Sequence, residues 1–373
     1  MLRSSIQSTD SAVDGEIRLS SWRNQGTSVV SISRFLAPVS ALSCLILLGG
    51  CVSKSESDIV VYSALDEEFA APIIAAFERE VDHETGVIGK FDVESTKTVG
   101  LVNQIIAEQS TPVCDVFWNN EIMHTVRLQK LGLLKPRRWA VQPGWPREMI
   151  ASDGSWCGFA ARARVLLINR TLLPDPSEHP SSVADLLDPR WKDNCAMARP
   201  LFGTTATHFA VLKAKDGEKQ TLEMLKKIRD NAIVLSGNKQ VAQAVASGQV
   251  AWGLTDTDDA IIEKDRSSKM LIVFPDQKPD EPGTLRIPNT LAILKDAPHP
   301  VAAEKFAVYI VSAKTEERLA MGLSSQLPLS RESEYRPRVL PRESIRWMNV
   351  DFEKAGDDWS EWSKKVLEVY RAD

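Results

Sequence analysis

Short apolar runs and helix-spaced apolar positions take turns along most of this chain. Ile59 to Tyr62 is a β-branched run that predicts a buried strand. After a turn over Ser63 to Glu68, Phe69, Ile73 and Phe77 recur at helical spacing. Phe91-Asp92-Val93 reads as a second strand. Thr96-Lys97-Thr98 opens a helix with Leu101, Val102, Ile105 and Ile106 on one face, and Cys114 to Trp118 reads as a third strand. Asn119-Asn120-Glu121 precedes a helix through Ile122, Val126 and Leu131, closed by Gly132. Beyond a Trp- and Pro-rich stretch at 136–156, strands are predicted at 163–169, 195–198, 233–235, 250–254, 271–274 and 290–294. Helical segments separate most of them, and a last helix is predicted over 359–370. Strands alternating with helices predict an α/β fold of βαβ units, with mixed, largely parallel sheets flanked by helices.

Strands near 156–165 and 283–290 join two such α/β sections, so two lobes are expected. The first lobe takes in 58–160, the second 161–285, and 286–373 returns to the first and adds C-terminal helices. Loops at the carboxyl ends of parallel strands carry ligands. Two facing lobes therefore place a ligand in the cleft between them.

The first 50 residues follow another pattern. Arg34 precedes the apolar run FLAPVSALSCLILL, which ends in Leu48-Gly49-Gly50-Cys51. A basic residue, a short apolar core and small residues before a cleavage point make an export signal. The run is short for a bilayer span. Leu-Gly-Gly-Cys resembles the bacterial lipoprotein box, which implies that Cys51 is lipidated and becomes the mature N-terminus, with 51–57 as a tether. Asp10, Asp14 and Glu16 are unusual for a basic leader. They point to an extended leader or a start downstream of Met1.

Removing residues 1–50 takes away four Arg and three acidic residues and moves the net charge from −5 to −6. A mildly acidic chain without a basic run speaks against nucleic acid as a partner. Of the five cysteines, Cys114, Cys157 and Cys195 remain beyond the leader and Cys51. Their odd number leaves at least one thiol free, and separate buried cysteines are the expected state.

Five loops at strand ends carry the candidate binding residues. They are Ser63 to Asp66, Ser95 to Thr98 with Thr96 and Lys97, Asn119-Asn120-Glu121, Phe202 to His208 with Thr204 and Thr205, and Ser236-Gly237-Asn238. Each holds Ser, Thr or Asn where a helix begins, as an N-cap would. Converging on one cleft, the same helix starts offer unpaired N–H groups to an anion. Lys97, Arg162 and Arg164 add charge. Thr255-Asp256-Thr257-Asp258-Asp259 points the other way: three carboxylates in four residues suit a hard cation or an amine. Asp256 and Asp258 are the candidate metal ligands. Trp118 and Trp252 end strands expected to face the cleft.

The order of these blocks resembles the extracellular solute-binding proteins of ABC importers, specifically the ferric-iron-binding protein family. The marks are IVVYSALDEEFAAPIIAAFERE, CDVFWNNEIMHTVRLQKLGLL, GFAARARVLLIN, PLFGTTATH, SGNKQVAQAVASGQVAWGLTDTDDA and IPNTLAIL. The resemblance implies a two-lobed type II periplasmic-binding fold, a hinge-closing cleft, and a permease with its ATPase as partners. Well-known members carry two adjacent tyrosines where this chain has Thr255 to Asp259. Asp66 stands near their usual His, and Asn120 and Glu121 near their usual Glu. Two cargoes stay open, ferric iron held by carboxylates or a phosphorylated or phosphonate organic anion. No cofactor is expected, since Fe3+ or another metal enters as transported ligand, and a monomer is the expected state. The rival from another class is an enzyme with Cys157 as nucleophile and His208 as base.

Overall fold

The computed structural model describes residues 58–92 and 97–371. The leader, the tether with Cys51, Val93, Ser95 and Thr96 lie outside the described residues, as does the side chain of Lys97.

The strands are β1 (Ile59–Ser63), β2 (Val87–Phe91), β3 (Val116–Asn119), β4 (Cys157–Asn169), β5 (Cys195–Ala198), β6 (Ile233–Leu235), β7 (Trp252–Asp256), β8 (Met270–Val273) and β9 (Arg286–Ile293). The helices are α1 (Glu67–Glu80), α2 (Lys97–Ala107), α3 (Met123–Lys130), α4 (Gly203–Asp216), α5 (Glu218–Asn231), α6 (Asn238–Ser247), α7 (Thr257–Arg266), α8 (Pro300–Ile310), α9 (Ala313–Met321), α10 (Phe352–Ala355) and α11 (Trp359–Tyr370). The alternation agrees with the predicted one. The second strand lies four residues earlier than Phe91-Asp92-Val93. It is a sheet edge with an exposed middle, so no apolar run marks it.

The sheet runs β2-β1-β3-β9-β4-β7-β5-β6, with β8 on β4. β1 is parallel to β2 and β3, and β5 is parallel to β6 and β7. These two parallel halves meet through the antiparallel strands β4 and β9. All 13 residues of β4 are buried. Its first half pairs with β9, and from Arg164 onward it pairs with β7 and β8. One strand thus belongs to both halves, and residues 160 and 161 lie inside it.

A break in β4 sets what that strand presents. The register against β9 shifts between Phe159 and Arg162, and Ala160 sits at φ 39°. That backbone region is costly for a residue with a Cβ and persists where its surroundings fix it. Glu316 of α9 accepts from the Ala160 N–H at 2.8 Å and from Leu329 and Ser330 at 2.9 and 2.8 Å. Asn289 donates to the Ala160 carbonyl. Past the break, Arg162 and Arg164 are two residues apart on an extended strand and so share a face. On the neighbouring strand, Gly253 lets α6 approach β7: a Cβ there would stand 2.5 Å from Val241 Cγ1.

The C-terminal segment binds to both halves. Lys130 of α3 pairs with Asp357 at 2.5 Å, and Lys213 of α4 donates to the Asp357 carbonyl at 2.6 Å. α11 continues onto α5, where Tyr370 donates to the Leu225 carbonyl at 3.3 Å. Trp118 and Trp252 are fully buried, in correction of the expectation that they face the cleft. Trp118 packs against Phe159 and Trp252 edge-on against Trp191. Cys114, Cys157 and Cys195 are free and buried separately, as expected.

Candidate functional site

A cleft of about 490 Å³ opens between the two halves. Asp66, Thr98 and Asn120 line one wall; Thr204, Asn238, Asp256, Asp258 and Asp259 line the other, with Arg162 between them. The loops after β1, β3, β5, β6 and β7 all reach it, as the carboxyl-end rule requires.

The strand register builds the floor. Arg164 and Asp256 are direct partners in the β4–β7 ladder. Their side chains are 1% and 2% exposed and meet at 2.5 Å, Arg164 Nη1 to Asp256 Oδ1. Thr204 Oγ1 and Asn238 Nδ2 both donate to Asp256 Oδ2, the latter at 2.9 Å. Arg164 also donates to Asn238 Oδ1 at 3.1 Å and Thr205 Oγ1 at 3.1 Å. These threonines and Asn238 start α4 and α6, yet neither helix has a side-chain cap. The expected caps are spent on an ion pair. Asp256 therefore occupies the place between two helix starts that an anionic ligand would take.

Asp258 and Asp259 stand on the first turn of α7, and the three carboxylates bring one oxygen each within 4.8 Å of one another. Arg162 Nη1 donates to Asp258 Oδ2 at 2.9 Å, and Nη2 donates to the Asn120 carbonyl on the opposite wall. Burial raises the Asp258 carboxyl; Arg162 opposes this, while Asp256 and Asp66 add to it. Burial, then Asp258 and Asp256, pushes the half-buried Asp259 well above the usual carboxylate range. Burial works against the Arg162 charge, but Asp258 and Asp256 outweigh it and keep the guanidinium firmly protonated. The site is a crowded, incompletely neutralised set of acids. A hard cation relieves such crowding by taking oxygen ligands.

Of the residues expected to bind, Asp66, Asn120, Thr204, Asn238, Asp256 and Asp258 line the cleft. Thr205 lies behind them, bonded to Arg164 and Asn238. Ser63 is buried and donates to the Leu65 carbonyl at 3.2 Å. Glu121 is buried just ahead of α3, accepting from the Met123 and His124 N–H groups at 2.6 and 3.0 Å and from Thr207 at 3.1 Å. Ser236 is exposed, outside the cleft lining. Asp259 was part of the acidic loop but not of the expected ligand pair. Phe69 and Arg338 also line the cleft, and nothing in their local pattern marks them.

Cys157 and His208 share no hydrogen bond among the described residues. Cys157 donates weakly to the Gly158 carbonyl at 3.5 Å. Burial, then Glu316, pushes its thiol well up, the reverse of what a nucleophile needs. Burial, then Arg164, lowers His208 to about 3. Between pH 6.5 and 3 the unfolded ring takes a proton that the folded ring refuses. Folding stability falls as pH drops through that window, by about 1.4 kcal/mol per unit at most. His208→Gln should therefore flatten the acid limb, seen as a smaller loss of urea midpoint between pH 7 and pH 5.

A family model described as bacterial extracellular solute-binding protein matches residues 126–355, more than half of the chain. The Fe(3+)-binding periplasmic protein of Serratia marcescens is 26% identical over 341 residues, covering 90% of this chain and 96% of that protein. Iron uptake protein A1 of Synechocystis is 26% identical over 248 residues, covering 64% of this chain and 67% of that protein. Among solved structures, the ferric binding protein from Campylobacter jejuni superposes with a TM-score of 0.74 at 22% identity, over 83% of this chain and 99% of that one. Iron-bound HitA from Pseudomonas aeruginosa gives 0.72 at 21% identity, over 84% and 99%. The shared fold is the two-lobed type II periplasmic-binding fold.

Proposed function

This chain belongs to the bacterial extracellular solute-binding protein family, and from that membership we propose that it captures ferric iron outside the cytoplasm and hands it to an ABC permease. One observation carries the cargo assignment. Three carboxylates with oxygens within 4.8 Å of one another line the cleft of a chain similar to Fe(3+)-binding proteins. Asp258 and Asp259 hold the ion, and Asp66 on the opposite wall completes the set when the lobes close. Asp256, already neutralised by Arg164, fixes the floor beneath them. The organic-anion reading loses three of its donors, because Arg164, Thr204 and Asn238 are bonded to Asp256. The Leu48-Gly49-Gly50-Cys51 sequence supports a lipid anchor on Cys51, which would hold this receptor at the membrane beside its permease. No covalent chemistry is required. The work is binding, lobe closure and release.

The test is the thermal unfolding midpoint of the purified protein after unfolding and refolding to strip carried-over ligand. A ligand held only by the folded state stabilises it by about 2.7 kcal/mol at a hundredfold excess over Kd. In a chain of this size that is a rise of about 4 °C. Ferric citrate should give the rise and a chelator should abolish it. A rise with phosphate, sugar phosphates or phosphonates and none with iron would reverse the assignment.

A further inference from the structure

Arg162 stands where an incoming cation has to go. It is 8% exposed, lines the cleft, and shares Asp258 with the cation site. Its other terminal nitrogen donates to the Asn120 carbonyl across the cleft, so one guanidinium joins both walls. Its Nε is buried with no hydrogen-bond partner among the described residues. Arg164, the neighbouring arginine on the same face, is committed to Asp256, Thr204, Thr205 and Asn238. Nε is unmet in both arginines, but Arg162 has the weaker hold: one carboxylate and one carbonyl, against four side-chain partners for Arg164.

We propose that Arg162 is an internal stand-in for the cargo: it neutralises Asp258 while the cleft is empty and is displaced from it when a metal cation binds. The inference rests on the metal reading above. A metal ion and a guanidinium repel each other and compete for the same oxygens. The empty protein gains because Asp258 is never an unpaired buried charge. The bound protein loses part of its affinity, most severely for ions of low charge. Arg162 is then a specificity-determining residue that favours highly charged cations through competition.

The experiment uses the full chain, stripped of ligand, as wild type, Arg162→Gln and Arg162→Lys. Gallium(III), a redox-inert trivalent ion, and Mg2+ are titrated at pH 7 by calorimetry, and the unfolding midpoint of each empty protein is recorded. Arg162→Gln should bind gallium(III) about tenfold tighter or more and should gain Mg2+ binding, while its empty form melts lower. Arg162→Lys keeps the charge and should stay within about threefold of wild type. If Arg162→Gln does not fold, Arg162→Met keeps the packed stem and carries the same expectation. Binding by the wild type with equal or weaker binding by the neutral variants would overturn the proposal and leave the metal site standing. No metal binding by any of the proteins would overturn both.

Discussion

Arg164→Ala should cost about 3–5 kcal/mol of folding stability and remove cargo binding in the same step. Arg164 is fully buried, and its loss leaves the buried Asp256 carboxylate without its ion-pair partner. Thr204 and Asn238 still donate to Asp256, so it keeps two hydrogen bonds and loses the charge-assisted one. Three further bonds, from Arg164 to Thr204, Asn238 and Thr205, go at the same time. These side chains fix the first turns of α4 and α6, so the wall of the cleft loosens with the pair. Urea unfolding gives the cost, and ferric citrate titration of the folded fraction gives the binding. Asp256→Asn should be milder, since the amide oxygen still accepts from Arg164. A loss below about 1 kcal/mol for Arg164→Ala would mean that water enters and screens the pair, as at an exposed salt bridge.

This pair shows what the sequence carries and what it does not. Arg162-Ala163-Arg164 and the run Thr255 to Asp259 are both visible as charged interruptions of apolar strands. A two-residue spacing places the two arginines on one face of β4, whereas Asp256 ends β7 and Asp258 and Asp259 open α7. The register that sets Arg164 opposite Asp256 depends on strand pairing over 92 residues of separation, which no local pattern specifies. The same holds for Asp66 and Asn120: their loops were readable as strand ends, and their meeting with Asp258 depends on how the halves face each other. Ser63 and Glu121 mark the limit from the other side. Both sit at strand ends with polar side chains, and both are used within the fold. A polar residue beside a helix start serves a cap or a ligand equally well until its neighbours are known. The long apolar segments were legible because burial on both sides leaves a continuous run. β2 was misplaced because an edge strand needs no such run. The tryptophans reversed expectation because strand alternation fixes a face only once the sheet's core side is known.

Asp259→Asn should move stability and binding in opposite directions. Burial and its neighbours Asp258 and Asp256 push the Asp259 carboxyl well up, and Arg162 pairs with Asp258 instead. Its ionised form is thus a liability in the empty protein. Because the folded carboxyl is raised above the usual 3.8, the folded state holds the proton longer than the unfolded one. Its contribution to stability is present at low pH and is lost as pH rises from the unfolded value through the folded one. Removing the charge should therefore raise the urea midpoint of the empty protein at pH 7, by about 0.5–1 kcal/mol, and flatten that pH dependence. Metal binding runs the other way. A cation needs the ionised carboxylate and expels its proton, so affinity in the wild type should climb with pH over the same window. Asp259→Asn supplies one oxygen and no charge, and its gallium(III) affinity should fall by roughly a hundredfold. Calorimetry in two buffers of different ionisation enthalpy would count the protons released, which the variant should lose. An unchanged affinity would put the cation on Asp66 and Asp258 alone. A destabilised empty protein would mean that Asp259 has a partner in the fold, and its acid would then be structural rather than held ready for cargo.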